Sequence, residues 1–319
     1  MHAVRFHEHG DRDVLRVDET DRPEATGHDV VVEVHGAGVN PVDTYFRTGS
    51  YEPFQLPMIP GVDVAGEVVS VSEWVDDYAV GDRVVGTGLG MNHMGGYAEY
   101  AAVPEDRLAH LPDGVDLVAA GGAGVVAVTA WRALVDHAGL EPAESVLIHG
   151  GSGGVGHAAV QVAAATGAHV LTTAAPDYHA RLEELGADAV FDYRSDTLAD
   201  DVLDETGGVD VVLDHRLDDY LQFDAEVAAT GGRVVGIGEN DPQVGFSNDG
   251  VARSKDVSYQ FMSMFNTPRL AEPLASVAYL MGEGDLEIEV ARTYDLDEAA
   301  EAQRAVMEES FLGKLVITP

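Results

Sequence analysis

At 319 residues, 45% of them hydrophobic, the chain is long enough for two domains, each with its own core. Asp plus Glu number 56 against 18 Lys plus Arg, a formal net charge of −38 that argues against a nucleic-acid partner, because phosphate binding needs a basic surface. With no cysteine, disulfides, thiolate metal sites and a cysteine nucleophile are excluded.

The N-terminal run Met1-His-Ala-Val-Arg-Phe6 enters a strand directly, without a signal-peptide h-region, and no apolar run approaches the ~18 residues of a membrane-spanning helix. A soluble cytoplasmic protein with no membrane partner is the expectation. From Met1 to about Gly122 the signals are β-like, as in Val30–Val34, Val64–Val69 and Arg83–Val85, separated by Gly, Pro and Asp turns. From about Ala123 to Phe265, strands are predicted at Val146–Ile148, His169–Thr173, Ala189–Phe191, Val209–Leu213, Arg233–Ile237 and Val257–Met262. Helices are predicted between most of them, notably at Asp177–Leu185, Thr197–Thr206 and Asp218–Ala228. Such alternation implies a parallel, doubly wound α/β sheet. The remainder reads as a helix (Arg269–Met281), a short strand, a helix (Asp297–Glu309) and a terminal strand (Lys314–Thr318). The expected domains are therefore 1–122 plus 266–319, and an inserted 123–265. In that arrangement the active site lies in the cleft between them, where small-ligand pockets favour forming.

The acidic residues are dispersed through folded-looking segments, and Lys255 and Lys314 are the two lysines. Self-repulsion of this size destabilises a compact state at low salt. At ~1 M salt the screening length falls to about 3 Å, so the pattern looks like that of a halophile's protein.

The most specific signal is Ser145-Val-Leu-Ile-His-Gly-Gly-Ser-Gly-Gly-Val-Gly156. A buried strand leads into Gly151, Ser152, Gly153, Gly154, Val155 and Gly156, which fit G-x-G-x-x-G, and an Ala-rich helix runs from Val155 to Ala165. Glycines there allow a tight turn, close backbone approach to a pyrophosphate and close helix–strand packing. The helix N-terminus adds free N–H groups and the positive end of its dipole. Because the motif follows a strand, opens a helix and begins a βα series, it reads as a dinucleotide site.

Beyond that turn, the chain resembles the medium-chain dehydrogenase/reductase superfamily, and within it the zinc-independent, zeta-crystallin-like NADPH:quinone oxidoreductases. The resemblance runs over essentially the whole chain. It is carried by Gly38-Val-Asn-Pro-Val-Asp-Thr-Tyr45, Arg47-Thr-Gly-Ser-Tyr51, Pro60-Gly-Val-Asp-Val-Ala-Gly-Glu-Val68, Gly81-Asp-Arg-Val-Val85, Gly95-Gly-Tyr-Ala-Glu-Tyr100, Gly231-Gly-Arg-Val-Val235 and Gly313-Lys-Leu-Val316, in that order and spacing. It implies a GroES-like β-rich catalytic domain, into which a Rossmann doubly wound parallel-sheet cofactor domain is inserted. Metal-dependent members place a cysteine at the position of Asn40 and a histidine at that of Val62. Neither residue here serves as an ordinary zinc ligand, so no metal is expected.

The same resemblance implies that Asn40, Tyr45 and Tyr51 line the substrate pocket. Asn40 either hydrogen-bonds a carbonyl oxygen of the acceptor or holds the Asn-Pro turn. Tyr51 donates a hydrogen bond or proton, with Tyr45 as pocket wall, and Asp43 reads as a helix or turn cap. Thr129 matches a family threonine near the nicotinamide end. NAD-preferring sites usually carry an acid at the end of the second strand, which binds the ribose diol; here Thr173 stands there, and this favours NADP(H). Where the family commonly adds a lysine, this chain shows His179 and Arg181, and Tyr193 with Arg194 follow the third strand. Gly236 and Gly238 are expected to leave room for the nicotinamide ribose. Asp214-His-Arg216 replaces the small turn usual in relatives, and the roles of His215, Arg216 and Lys314 stay open.

The leading expectation is hydride transfer from NADPH to a quinone without metal. The alternatives are an enone or enoyl-thioester reductase, with Tyr51 as proton donor, and a non-catalytic nucleotide-binding protein. The partners expected are a small-molecule quinone or enone and, by resemblance, further copies of the chain in a homodimer or larger homo-oligomer. These would pair through an edge of the Rossmann sheet, for which the apolar Val257–Met262 is the candidate, although that segment also reads as an interior strand.

Overall fold

The computed structural model describes residues 1–319. The chain divides into two compact units, Met1–Val128 with Thr267–Pro319, and Thr129–Asn266.

The first unit begins with an antiparallel ribbon of β1 (His2–Arg5) and β2 (Arg16–Glu19). β3 (Asp29–Val39) follows, a largely buried strand that pairs antiparallel with several neighbours along its length. α1 (Pro41–Thr48) opens with proline at its first position, where the missing N–H costs nothing, and ends on Gly49 in the left-handed region (φ 81°). Then come β4 (Val64–Val71), β5 (Arg83–Gly86), β6 (Tyr100–Pro104), β7 (Leu108–His110) and α2 (Leu117–Gly121). The carboxylate of Asp116 caps α2 by accepting the Ala119 N–H at 2.8 Å. α3 (Gly124–Trp131) runs on into a π-helical stretch, Arg132–His137.

The second unit alternates strictly. Its elements are β8 (Ser145–Ile148), α4 (Gly154–Thr166), β9 (His169–Ala174), α5 (His179–Glu184), β10 (Ala189–Asp192), α6 (Leu198–Thr206), β11 (Val209–Asp214), α7 (Leu217–Val227), β12 (Ala228–Gly236), α8 (Asp249–Ser254) and β13 (Ser258–Phe261). The sheet order is β10-β9-β8-β11-β12-β13, and every neighbouring pair is parallel. The chain winds outward from β8 to β10, then returns to the other side of β8. The carboxyl ends of β8 and β11 therefore form the topological switch point, where open α/β sheets bind ligands. Leu147, Leu171, Val212 and Val234 fill the sheet interior against Leu198, Val202 and Val227.

After this unit, α9 (Ala271–Glu283), β14 (Val290–Tyr294), α10 (Ala299–Glu308) and β15 (Lys314–Ile317) return to the first. β15 pairs antiparallel with β3 and parallel with β14, completing a sheet in the order β14-β15-β3-β4-β5-β7, with β6 on β3. The fold is thus a mixed β-rich unit plus a doubly wound parallel-sheet unit.

The main departures from the sequence reading are helical. α1 and α2 lie in a stretch that reads as β-like, because helices this short show little periodicity; their buried side chains (Val42, Phe46, Ala120) and their caps hold them. α8 was not expected. β12 starts at Ala228 rather than Arg233, with a register irregularity against β11 that absorbs Gly231-Gly232.

Candidate active site

In the β-rich unit, the head of α1 sits in a buried polar network. The Asn40 N–H donates to Asp43 Oδ2 at 2.9 Å, and the Tyr97 hydroxyl reaches the same oxygen at 2.9 Å. Asp43 Oδ1 accepts the Val62 N–H at 3.0 Å. The Asn40 amide is committed on both sides. Its Nδ2 donates to Asp63 Oδ2 at 2.8 Å, and its Oδ1 accepts from Lys314 Nζ at 2.6 Å. Lys314 also donates to the Val39 carbonyl at 2.7 Å. Asp63 Oδ1 accepts from the Thr87 hydroxyl at 2.6 Å and the Val125 N–H at 2.8 Å. Gly124 is required there, since a Cβ would stand 2.3 Å from Asp63 Oδ1. All of these side chains are buried.

Burial pushes the Asp43 carboxyl up to about 7, against the lowering effect of the Asn40 N–H. It pushes Asp63 up to about 6, against the Lys314 charge and the Thr87 and Asn40 hydrogen bonds. Lys314 is pulled down by burial and held up by the two carboxylates. The cation and the donors together keep the cluster satisfied, as a buried charge requires.

Tyr51 lies at the edge of this region with 44% of its surface exposed. Its N–H bonds the Tyr45 carbonyl at 3.1 Å, and its ring packs edge-on against Tyr45 (5.6 Å) and buried Phe46 (5.8 Å). Tyr45, 37% exposed, shares this aromatic face. α1, which carries Tyr45 and leads into Tyr51, is anchored by Arg47, which donates to Gln303 Oε1 at 2.8 Å and to the Gly10 carbonyl at 2.7 Å.

In the parallel-sheet unit, the glycine turn sits at the switch point. Gly150 takes φ +69°, and its N–H donates to the Thr173 hydroxyl at 3.1 Å. A Cβ on Gly151 would meet Thr172 Oγ1 at 2.2 Å, and one on Gly156 would meet the Gly150 carbonyl oxygen at 2.1 Å. Gly153 caps α4 without a side-chain bond. Ser152, Gly153, Gly154 and Val155 are at least partly open to solvent, so the first N–H groups of α4 face outward, as an anion needs.

The other expected cofactor residues are placed less directly. Thr173 is buried, and its hydroxyl accepts the Gly150 N–H and so holds the turn. His179 Nε2 donates to the Ala174 carbonyl at 3.1 Å. Arg181 pairs with Glu184 at 3.0 Å, and Arg194 pairs with Asp192. Gly236 makes room for Leu217, since its Cβ would lie 2.3 Å from Leu217 Cδ1. The Gly238 carbonyl accepts the Leu217 N–H at 3.1 Å. Thr129 is buried within α3. His215 covers the turn, its Cε1 lying 2.6 Å from where a Cβ on Gly150 would stand. Arg216 pairs with Asp219.

Beneath the turn is a second buried titratable cluster. His149 Nε2 lies 2.9 Å from Asp224 Oδ1, and its ring stacks on Tyr220 at 4.2 Å. Asp214 Oδ1 accepts the Arg216 N–H at 2.7 Å, which fixes the chain after β11. Asp214 and Asp224 face each other as side-chain hydrogen-bond partners, which takes a proton on one of them, and His149 Nδ1 has no hydrogen-bond partner. Burial pushes Asp224 up to about 8 and Asp214 up to about 7, and lowers His149 to about 4.

Comparison with known proteins decides what these two sites belong to. Residues 26–113 match the alcohol dehydrogenase GroES-like domain, and residues 185–317 match the zinc-binding dehydrogenase family. The quinone oxidoreductase of Lama guanicoe is 35% identical, across 99% of this chain and 97% of its own length. The chain belongs to the medium-chain dehydrogenase/reductase superfamily. Among solved structures, an NAD-dependent alcohol dehydrogenase is 29% identical with a TM-score of 0.92, each chain covered completely. Escherichia coli quinone oxidoreductase complexed with NADPH is 27% identical with a TM-score of 0.87, also over both whole chains. The CurK enoyl reductase is 25% identical with a TM-score of 0.86, over 99% of this chain and 98% of its own.

As a member of this superfamily the protein is an oxidoreductase, and the family uses NAD(P)H. The glycine cradle and the open head of α4 fit a dinucleotide's phosphates. Zinc, which one family description implies, does not fit the residues present: the Asn40 amide is engaged in the network, Val62 cannot ligate, and no group of three or more His, Cys, Asp or Glu is arranged to hold a metal ion. No helix is long and apolar enough to cross a membrane. Sequence reasoning missed the partnership of Asp43 and Asp63 with Lys314. The one available signal was a lysine retained in so acidic a chain.

Proposed function

We propose that the protein is an NADPH-dependent quinone reductase that works without a metal. The observation that carries this reading is the glycine cradle at the switch point, in a chain similar over its whole length to quinone oxidoreductases. Gly151, Gly153 and the first turn of α4 would hold the pyrophosphate. The bound nicotinamide supplies the hydride.

The chain's own residues then have distinct tasks. Asn40, with both amide atoms engaged, locks the head of α1 to Asp63 and Lys314, and so fixes the segment that presents Tyr45 and Tyr51. Tyr51, exposed at its edge, offers a phenolic donor to an acceptor oxygen that gains negative charge, with Tyr45 as an apolar wall. Solvent completes protonation of the hydroquinone.

The second reading, enone or enoyl-thioester reduction, is favoured by the same exposed phenol, which would then protonate carbon, and by the likeness to CurK enoyl reductase. NADPH oxidation in multimolar KCl separates the two, with 1,4-benzoquinone, a small enone and crotonyl-CoA as parallel acceptors. Under the quinone reading benzoquinone turns over, and Tyr51→Phe lowers its kcat/KM by about threefold to tenfold, the loss of one hydrogen bond. Turnover confined to the enone or thioester, with Tyr51→Phe nearly inactive, would move the assignment to C=C reduction.

A further inference from the structure

The corner where dinucleotide sites read the adenosine ribose lies at the end of the second strand, here β9. β9 ends in Thr172-Thr173-Ala174, without an acid, and the Thr173 hydroxyl accepts the Gly150 N–H. An acid arrives from the next strand instead. Asp192, the last residue of β10, lies in register beside Ala174. The Ala174 carbonyl in turn receives the His179 ring N–H.

Asp192 is occupied by Arg194 in a planar fork. Arg194 Nε donates to Asp192 Oδ1 at 2.9 Å, and Nη2 donates to Oδ2 at 3.0 Å. The backbone N–H of Arg194 adds a third bond to Oδ1 at 3.0 Å. The Arg194 guanidinium also lies 5.4 Å from the centroid of the exposed Tyr193 ring. The remaining cation at this end of the sheet, Arg181, is paired with Glu184. These hydrogen bonds hold the Asp192 carboxylate below its usual range, so it stays ionised.

We propose that Asp192 sets the balance between NADPH and NADH by clamping Arg194. The assignment rests on the oxidoreductase reading above and adds the residue that tunes its cofactor choice. A ribose diol is neutral and can donate to Asp192 while the fork stays closed. A 2′-phosphate takes Arg194 away from Asp192 and then faces that carboxylate as a like charge. Arg194 therefore favours NADPH, and Asp192 limits the preference. The corner accepts both dinucleotides instead of excluding one.

The test is direct binding, read by quenching of tryptophan fluorescence and by calorimetry, with NADPH and NADH titrated separately into the folded chain. Asp192→Asn keeps the side-chain shape, frees Arg194 and removes the like charge. It raises the NADPH-over-NADH affinity ratio about tenfold at 0.1 M salt, the size of a charge interaction across several ångströms of water. The gain shrinks at 1 M KCl, where the screening length is about 3 Å. Arg194→Ala lowers the ratio by a similar factor, and in the Asp192→Asn/Arg194→Ala double variant the gain disappears. A ratio unchanged by Asp192→Asn, or a gain that survives loss of Arg194, overturns the assignment. Failure of the wild-type chain to bind either dinucleotide overturns the oxidoreductase reading and this assignment with it.

Discussion

Each unit of this protein buries two aspartates beside a basic side chain, and burial raises the carboxyls in both, but only one cluster holds a cation. In the β-rich unit, Asp43 and Asp63 face Lys314, Asn40, Thr87, Tyr97 and backbone N–H groups, and every carboxylate oxygen has a donor. In the parallel-sheet unit, Asp214 and Asp224 have no lysine or arginine side chain bonded to them. Their neighbour His149 is neutral, and the two carboxyls hydrogen-bond each other, which takes a shared proton. The first cluster sets one cation and a full set of donors against two carboxylates, and burial still raises Asp43 to about 7; the second has no cation and relies on protons alone. Desolvation makes one remedy or the other necessary, because an isolated buried carboxylate is too costly to keep ionised.

Removing the cation should produce the largest effect. Lys314→Met leaves Asp63 and Asp43 buried with no positive charge and strips a donor from Asn40. It should destabilise the protein by about 3–5 kcal/mol in denaturant unfolding. Adding Asp63→Asn should recover part of that loss, whereas a purely volumetric role for Lys314 would leave the two effects additive.

The second cluster should show itself in pH dependence. The folded-state pKa of Asp224 lies above its ordinary value of 3.8, at about 8, so between these limits the folded state binds more protons than the unfolded chain. Its contribution is therefore present at low pH and lost as pH rises through about 8. His149, lowered from 6.5 to about 4, contributes the opposite slope between those values. Asp224→Asn keeps an acceptor for His149 and removes the titration. Relative to wild type it should gain stability steadily between pH 4.5 and pH 8.5, by up to about 5 kcal/mol at roughly 1.36 kcal/mol per pH unit. Parallel stability curves for the two proteins across that range would mean that Asp224 is ionised throughout.

A smaller effect sharpens the contrast. Thr87→Val deletes one donor to Asp63 while Val125 and Asn40 still serve that carboxylate. The expected cost is about 1–2 kcal/mol, read from the denaturation midpoint. A cost near that of Lys314→Met would mean that the hydrogen bonds, and not the lysine, hold the first cluster.

The parallel-sheet unit was the more legible in sequence. Strand and helix runs there carry their own periodicity, and the glycine turn is a local device whose geometry follows from missing Cβ atoms. Hence β8, α4, β9 and β10 fall close to their expected limits. The β-rich unit was read less completely. α1 is too short to announce itself, and its position depends on Arg47 reaching Gly10 and Gln303, residues far apart in the chain. Thr173 shows the same limit at one residue. Its place at the end of β9 was correctly foreseen, but its hydroxyl turned out to serve Gly150.

Periodicity and the spacing of glycines determined the class of fold and the dinucleotide turn, because each is a property of neighbouring residues, and the family came from the resemblance of several motifs in order along the chain. Tertiary structure alone decided which charges meet. Lys314 joins Asn40, a side chain 274 positions away, and the register of β10 on β9 brings Asp192 beside Ala174. Such pairings depend on strand order and burial. Electrostatic energy is set by distance and solvent exclusion in space, and neither is written along the chain.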